Sequence, residues 1–447
     1  MSLPPPNDTI TAVATAPGVG AVGIVRVSGP EAYKVADEVF APFGDMCVRD
    51  LPAGRVVYGQ VKDGDTLVDE ALLLTFRAPH SYTAQDVVEF QTHGGPAVLR
   101  KVLDLTVRKG ARLARPGEFT LRAYLNGRID LLQAESVLNL VNAQSDSARR
   151  SAALGLSKKL TEQLELIQID ITRVYGNIQA MFDYPDEGVP EAESSEPLQR
   201  ALARVNNLLA TAEAGRIAQQ GAKLALVGKP NAGKSSLLNA LLGYERSIVS
   251  NIPGTTRDYL EAPLTLEGVP VTAVDTAGIR DTSDVVEASG VVAAKNIATN
   301  ADLTLFLLDT SQALSDEDRE MLAGLELSRT LLVASKSDLS PAWRESFDQP
   351  IYPVSTLTGE GLDALKDAIR EKLVGNAGAA ELWLTNERHA EALSRVRRLL
   401  EQAQAAPDDL ASLDLEDALR TLAELTGRGD IAEETLEHIF ANFCVGK

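Results

Sequence analysis

The stretch Gly228-Lys-Pro-Asn231-Ala232-Gly233-Lys234-Ser235 has the spacing GxxxxGK[ST]. In this pattern glycines let backbone N–H groups converge on phosphate oxygens at a helix N-terminus. An apolar run, KLALVG, precedes it and SSLLNALLG follows, so strand, loop and helix come in the order that phosphate binding needs. Lys234 supplies a point charge for the β- and γ-phosphates, and Ser235 offers a hydroxyl to Mg2+, with Ser236 beside it. Three further pieces lie downstream. Asp275-Thr276-Ala277-Gly278 closes the run VTAVD, where a carboxylate holds Mg2+ through water and Gly278 meets the γ-phosphate. Ser335-Lys336-Ser337-Asp338 closes LLVAS and matches the guanine motif NKxD except at Ser335, where Asn is usual. Asp338 there accepts from guanine N1–H and N2–H, which adenine lacks. Ser355-Thr356-Leu357 ends the next run and can cover the base with a backbone N–H. Each piece stands at the C-terminal end of a strand pattern, where an open α/β sheet binds its ligand. Together they predict a GTP site.

The residues for hydrolysis are less orthodox. Many GTPases place a Gln after DxxG to orient the attacking water, and here that position is Ile279. An apolar side chain cannot do this, so another polar group must. Asp281, Asp284 and Glu287 lie in the same stretch, and Arg257 and Arg280 are candidates by position for an arginine finger. Asn231 with Ser250-Asn251-Ile252-Pro253-Gly254-Thr255-Thr256 offers a ring of oxygens able to hold a monovalent cation instead. A plain loop-forming role for Asn231 stands equally on the residues alone.

Two other patterns suggest chemistry and lack its context. Gly18-Val-Gly20-Ala-Val-Gly23 spells the dinucleotide fingerprint GxGxxG, but the strand-like IVRVSG follows where a helix is required, so it reads as a turn between strands. His93-Gly94-Gly95 has the form of a lipase oxyanion loop, yet no GxSxG supplies a nucleophile. The four histidines have no metal-ligand spacing.

These residues must be carried by three kinds of element. Residues 1–120 alternate β-branched strand patterns with turns and intervening helices, predicting an α+β domain. From Leu121 the period turns helical. Leu160, Leu164, Ile167, Ile171, Val174, Ile178 and Met181 draw one apolar stripe down a long helix, and Ile129 with Leu132 through Val141 read as core stripe. From 221 to 378, KLALVG, VTAVD, LTLFLLD, TLLVAS and IYPVS read as buried parallel strands of a doubly wound domain. The helical pattern then returns over 379–447, with Leu393, Val396, Leu400 and Ala403 on one face. The fold predicted is α/β + α: a helical bundle domain, 121–220 plus 379–447, interrupted by an inserted P-loop domain.

Composition bounds the rest. A chain of 447 residues with 24% charged and 45% apolar residues is an ordinary multidomain globular protein. Two cysteines, Cys47 and Cys444, build no disulfide framework and fit a reducing compartment. The start MSLPPPNDTI lacks the basic and apolar regions of a signal peptide, and no apolar run reaches the ~18 residues of a membrane span. The expectation is a cytoplasmic protein without a membrane anchor. A net charge of −20 excludes coating of nucleic acid by bulk electrostatics, so any such contact comes from a local patch or a partner.

The segments DTITAVATAPG, EFQTHGGP, ARPGEFTLRAYLNGRIDLLQAE, GKPNAGKSSLLNALLG and the final FCVGK closely resemble the MnmE (TrmE) family of tRNA-modification GTPases, over essentially the whole chain. The resemblance implies a homodimer joined through N-terminal domains that each bind a folate one-carbon carrier, 5,10-methylene- or 5-formyl-tetrahydrofolate. It implies a tRNA substrate and a heterotetramer with the FAD-dependent partner MnmG (GidA), installing an aminomethyl-type group on C5 of the wobble uridine. By position it assigns folate contacts to Arg26, Glu89, Arg128 and Lys447, with Arg128 standing where Lys is commoner. It assigns K+ ligands to Asn231, Ser250, Ile252 and Thr255, Ser250 replacing the usual Thr. Mg2+ falls to Ser235 and Thr256, and positioning of the water to Glu287.

The end of the chain acquires a role in this light. Leu436, Ile439, Phe440 and Phe443 recur at helical spacing, so a terminal helix can dock and deliver the tail to a fixed place. The expectation is that Lys447 reaches the folate site and brings Cys444 to the one-carbon unit as a nucleophile or acid–base group. A small residue that merely seats the helix is the other reading of Cys444. Two rival functions fit less well. A ribosome-assembly GTPase without chemistry of its own normally carries a basic RNA-binding module, which a chain at −20 does not show. A prenylated signalling GTPase needs aliphatic residues after Cys444, where Gly446 and Lys447 stand.

Overall fold

The computed structural model describes residues 8–143, 145–184, 195–244, 261–266, 268–275, 298–343, 345–375, 384–429 and 432–447. They form two compact units, the first of Met1–Leu138, Leu156–Leu164 and Arg420–Lys447, the second of Asn139–Gly155 and Glu165–Leu419. Among the described residues no helix is long and apolar enough to cross a membrane.

The first unit is built on a seven-stranded sheet with strands β1 (Ile10–Val13), β2 (Gly20–Ser28), β3 (Phe40–Pro42), β4 (Val56–Asp63), β5 (Thr66–Phe76), β6 (Val87–Gly94) and β7 (Arg112–Leu113), in the order β3-β4-β5-β6-β2-β1-β7. Alternation along β2 and β6 sorts the faces. Val25, Val27, Val88 and Phe90 enter the core beneath the helices Ala32–Asp37 and Pro96–Arg108, while Arg26 and Glu89 share the opposite face. On that face Ile10, Ala12, Ala114 and Phe119 form a second, smaller cluster. Of the GxGxxG glycines only Gly18 lies in the turn between β1 and β2; Gly20 and Gly23 are already within β2, so the expected turn is confined to the start of the motif, and no helix follows it.

A largely buried charge cluster ties Asp8, just ahead of β1, to residues 112–122. Glu118, 1% exposed, accepts from Arg112 (2.7 and 3.1 Å), Arg122 (3.0 Å) and the Arg115 backbone N–H (2.8 Å). Asp8 bonds the same two arginines. Burial alone would raise the Glu118 carboxyl, but these donors outweigh it and hold it below the usual carboxylate range. A depressed carboxylate contributes stability above its unfolded pKa and loses it as pH falls through the folded value. Glu118→Gln is therefore expected to destabilise this unit by about 3–5 kcal/mol near neutrality, and the difference from wild type should shrink in acid. Urea titrations read by hydrogen exchange in β1 and β7 measure both.

The second unit carries a six-stranded sheet, β8 (Ala222–Val227), β9 (Glu261–Leu266), β10 (Val269–Asp275), β11 (Leu303–Asp309), β12 (Thr330–Ser335) and β13 (Ile351–Val354), ordered β13-β12-β11-β8-β10-β9. All neighbours are parallel except the edge strand β9. The strands read as unbroken apolar runs because helices cover both faces, and Leu224, Leu226, Leu305, Leu307 and Val333 are core. This is the doubly wound P-loop sheet expected, inserted between helical segments. In the helix Lys159–Asp183 the predicted stripe is buried from Leu160 to Ile178, but Met181 is only half-buried. The stripe expected up to Val141 also stops early, since Leu140 and Val141 are exposed near the end of the helix Leu131–Asn142. A helix outlasts the surface it packs on, and periodicity alone does not mark where that surface stops.

Candidate functional site

The phosphate loop connects β8 to the helix Lys234–Tyr244. Gly228 is in a positive-φ conformation (+150°), and a Cβ there would lie 2.6 Å from the Leu307 carbonyl of β11, so only glycine lets the loop leave the sheet this closely. Asn231 (φ +64°) and Gly233 (φ +96°) complete the turn, with Ala232 buried and Asn231 exposed. Lys234 Nζ donates to the carbonyls of Gly228 (2.6 Å) and Lys229 (2.8 Å), holding its ammonium across the loop. Ser235 and Ser236 are exposed in the first turn of the helix. Lys229 binds the buried Asp318 (2.6 Å) and Ser315 (2.7 Å), the two residues of the capping box on the helix Asp316–Ala323.

The guanine motif abuts this loop. The hydroxyl of Ser335, at the end of β12, donates to the Ala232 carbonyl (2.6 Å), so the shorter side chain found in place of Asn still ties the base strand to the phosphate loop. Lys336 (φ +58°) pairs with Asp309 at 2.6 Å. Burial raises the Asp309 carboxyl, and Lys336 and Ser311 more than reverse it, leaving it below the usual range. Asp338 Oδ1 accepts from the Ser355 hydroxyl (2.6 Å), and Ser355 Oγ accepts in turn from the backbone N–H groups of Leu357 (3.3 Å) and Thr358 (3.2 Å). Gly233, Ser236, Ser335, Lys336 and Thr356 line one cavity of about 50 Å3. Asp275 ends β10 in register with Leu226 of β8, which places its backbone at the same end of the sheet. The expectations at Ser250, Asn251, Ile252, Pro253, Gly254, Thr255, Thr256, Thr276, Ala277, Gly278 and Glu287, and at Arg257, Ile279, Arg280, Asp281 and Asp284, lie outside the described residues.

A second constellation forms in the first unit. Arg26 and Glu89 are direct cross-strand partners on β2 and β6, and their side chains pair at 2.7 Å. Arg26 Nη1 also donates to the Gly446 carbonyl (3.3 Å), and its guanidinium lies 5.6 Å from the rings of both Tyr82 and Phe119. Arg128 lies 5.2 Å from the same Tyr82 ring. The helix Glu433–Ala441 buries Leu436, Ile439 and Phe440, and Phe443 follows them against Leu121, Leu131 and Ala134. Beyond it the Cys444 carbonyl accepts from the Gly117 N–H (3.4 Å). Gly446 (φ +101°) presses on β1, where a Cβ would lie 2.3 Å from the Val13 carbonyl. Cys444 is exposed, and Lys447 is half-buried. Burial, with the Arg26 charge adding to it, pushes the Lys447 ammonium below the ordinary lysine range, and only partly does Cys444 oppose this.

Arg26, Glu89 and Gly446 of the tail, separate in the chain, therefore meet, and Arg128 joins them through Tyr82. Sequence reasoning missed Tyr82, Gly117 and Val13. For Tyr82 no spacing signal exists, and Gly117 stood only as one glycine in ARPGEF.

Comparison with known proteins places the whole chain. Residues 9–128 match a model described as the GTP-binding protein TrmE N-terminus, and residues 131–444 match the MnmE helical domain. A Thermus thermophilus protein named tRNA modification GTPase MnmE is 53% identical over 443 residues, 99% of both chains. One of the same name from Moorella thermoacetica is 42% identical over 462 residues, covering 99% of this chain and 100% of its own. The solved G domain of the T. maritima FeoB iron transporter is 28% identical, covers 34% of this chain and 98% of its own, and superposes at a TM-score of 0.25.

Proposed function

The chain belongs to the MnmE family of tRNA modification GTPases, and from that membership we propose that it is a potassium-dependent GTPase serving wobble-uridine modification of tRNA. With an FAD-dependent partner of the MnmG type it installs an aminomethyl-type group at C5, taking the carbon from 5,10-methylene- or 5-formyl-tetrahydrofolate. The observation that carries the reading is the convergence of the phosphate loop with Ser335, Lys336 and Thr356 on one cavity. The folate part is supported by the Arg26–Glu89 pair and the tail docked against it. Glu89 accepts from the pterin N–H edge, and Lys447 reaches the ligand from the tail. An exposed apolar strip, Val56 and Tyr58 with its cross-strand partner Leu72, supports pairing of two N-terminal sheets in a homodimer.

Ser235, exposed in the first helical turn, suits Mg2+ together with Thr256. Asn231, exposed at the turn of the loop, suits K+ together with Ser250, Ile252 and Thr255. Each ion would supply positive charge where the phosphates gain negative charge. Hydrolysis is expected to run at least about tenfold faster in K+ than in Na+, because a fitted cation does the work of an arginine finger. Equal turnover in the two salts would remove the potassium site. Glu287→Ala should slow hydrolysis by about 100-fold with GTP affinity nearly intact.

Nucleoside analysis of tRNA from cells lacking the protein tests the whole reading. The C5-substituted wobble uridine should vanish and return on complementation. Unchanged tRNA would overturn the proposal.

A further inference from the structure

Arg26 and Arg128 are two cations brought within cation–π reach of one aromatic ring, and they differ in what else holds them. Arg26 is committed: Nε to Glu89, Nη1 to the Gly446 carbonyl, with Phe119 against it. Arg128 is an exposed residue that forms no ion pair among the described residues. A long side chain of this kind loses rotamer freedom on being fixed and needs a contact to offset that loss. Tyr82 provides the contact, at 5.2 Å from ring centroid to guanidinium.

The ring is itself fixed. Its hydroxyl lies 2.8 Å from Oγ1 of the buried Thr120, and its body packs on Ile10, Ala12, Ala114 and Phe119. The chain on either side is pinned by Ser81 Oγ to the Gln85 carbonyl (2.5 Å) and by Thr83 to Ser28 (2.7 Å). Tyr82 is thus a rigid element from which both guanidiniums take their place.

We propose that Tyr82 is a positioning residue of the folate site: its ring holds Arg128 beside the Arg26–Glu89 pair so that Arg128 takes a carboxylate of the ligand. This rests on the folate reading given above. A reduced folate is polar at both ends, with an N–H-bearing pterin at one and a glutamate at the other. Glu89 is the acceptor suited to the first. Arg128, with its planar donor fork free of any ion pair, suits a carboxylate of the second.

Calorimetry of the full-length protein with two probes tests this: 5-formyl-tetrahydrofolate, and 5-formyl-tetrahydropteroate, the same ring system without the glutamate. Wild type should bind the folate at least about tenfold more tightly than the pteroate. Tyr82→Leu and Arg128→Met should each weaken folate binding about tenfold and leave pteroate binding within about twofold, and the double variant should be no worse than either. Tyr82→Phe keeps the ring and should stay within about threefold of wild type. Equal loss of both probes in Tyr82→Leu would make Tyr82 a packing residue and overturn the proposal, as would full folate affinity in that variant. If Tyr82→Leu does not fold, Arg128→Met decides, because its side chain lies outside the core; an undiminished preference for the folate there overturns the proposal. Wild type binding neither probe sinks the folate reading and this proposal with it, whereas wild-type binding with an indifferent Tyr82→Leu sinks this proposal alone.

Discussion

Lys234→Ala is expected to remove GTP binding from the micromolar range and hydrolysis with it. The ammonium of Lys234 lies across the phosphate loop, donating to the carbonyls of Gly228 and Lys229. It is the only Lys or Arg in the helix Lys234–Tyr244 that the loop opens. Alanine removes the charge proposed to meet the β- and γ-phosphates and leaves two loop carbonyls without this donor. Hydrogen bonds to charged groups contribute about 1.5–3 kcal/mol each. Losing the charge and loosening the loop together should cost about 3–6 kcal/mol, or roughly 100-fold to 20,000-fold in affinity. Titration with a fluorescent GTP analogue measures the loss. Circular dichroism should be unchanged, because the side chain is only half-buried and fills no core. Affinity within threefold of wild type would mean that this loop is not the phosphate site.

Gly446→Ala should detach the tail and cut tRNA modification by more than tenfold. Two independent effects act at this one position. The backbone is at φ +101°, which L side chains rarely adopt, and the added Cβ would lie 2.3 Å from the Val13 carbonyl and 3.1 Å from the Ala14 Cα. Neither obstacle is a flexible side-chain end. Val13 belongs to β1, in register with Val25 of β2, and the Ala14 N–H donates to the Ile24 carbonyl (2.8 Å), so the strand cannot retreat. The tail must lift instead, releasing the Arg26–Gly446 hydrogen bond and carrying Lys447 away. Hydrogen exchange in a peptide spanning 442–447 should rise sharply while that of β2 and β6 stays near wild type. Cys444→Ser makes the companion experiment, since it nearly preserves size and leaves in place the tail's hydrogen bonds, which use the backbone carbonyls of Cys444 and Gly446. Loss of modification in Cys444→Ser would place the thiol in the chemistry, and full modification would exclude the thiol from it. A Gly446→Ala protein with native exchange and full modification would show that the docked tail has no part in function.

What could be read in the chain beforehand is what depends on neighbours in sequence. The phosphate loop is contiguous, so its spacing specifies its geometry once a strand and a helix flank it. The same holds for the unbroken apolar runs of β8, β11 and β12, whose burial on both faces leaves no alternation to misread. The stripe from Leu160 to Ile178 was legible for a similar reason, since helical period is a local property. Where that stripe fades at Met181, and where Leu140 and Val141 emerge, depends on what lies opposite, which period does not encode.

The second site was legible only through family resemblance, because its geometry is set by strand register and chain return. Arg26 meets Glu89 because β2 and β6 pair residue for residue, and a slip of one would turn either side chain to the other face. Gly446 meets Arg26 across 420 positions because a terminal helix buries Leu436, Ile439 and Phe440 against residues from Leu121 to Ala134. Tyr82 becomes the platform for two guanidiniums through Thr120 and Phe119, which no pattern around it announces. The sequence by itself thus determined the phosphate-loop turn, the doubly wound sheet and the helical seams, all written in local spacing. Only the tertiary structure decided which distant charges share a face and what holds the tail, because contacts between remote segments depend on register and packing rather than on any residue's immediate neighbours.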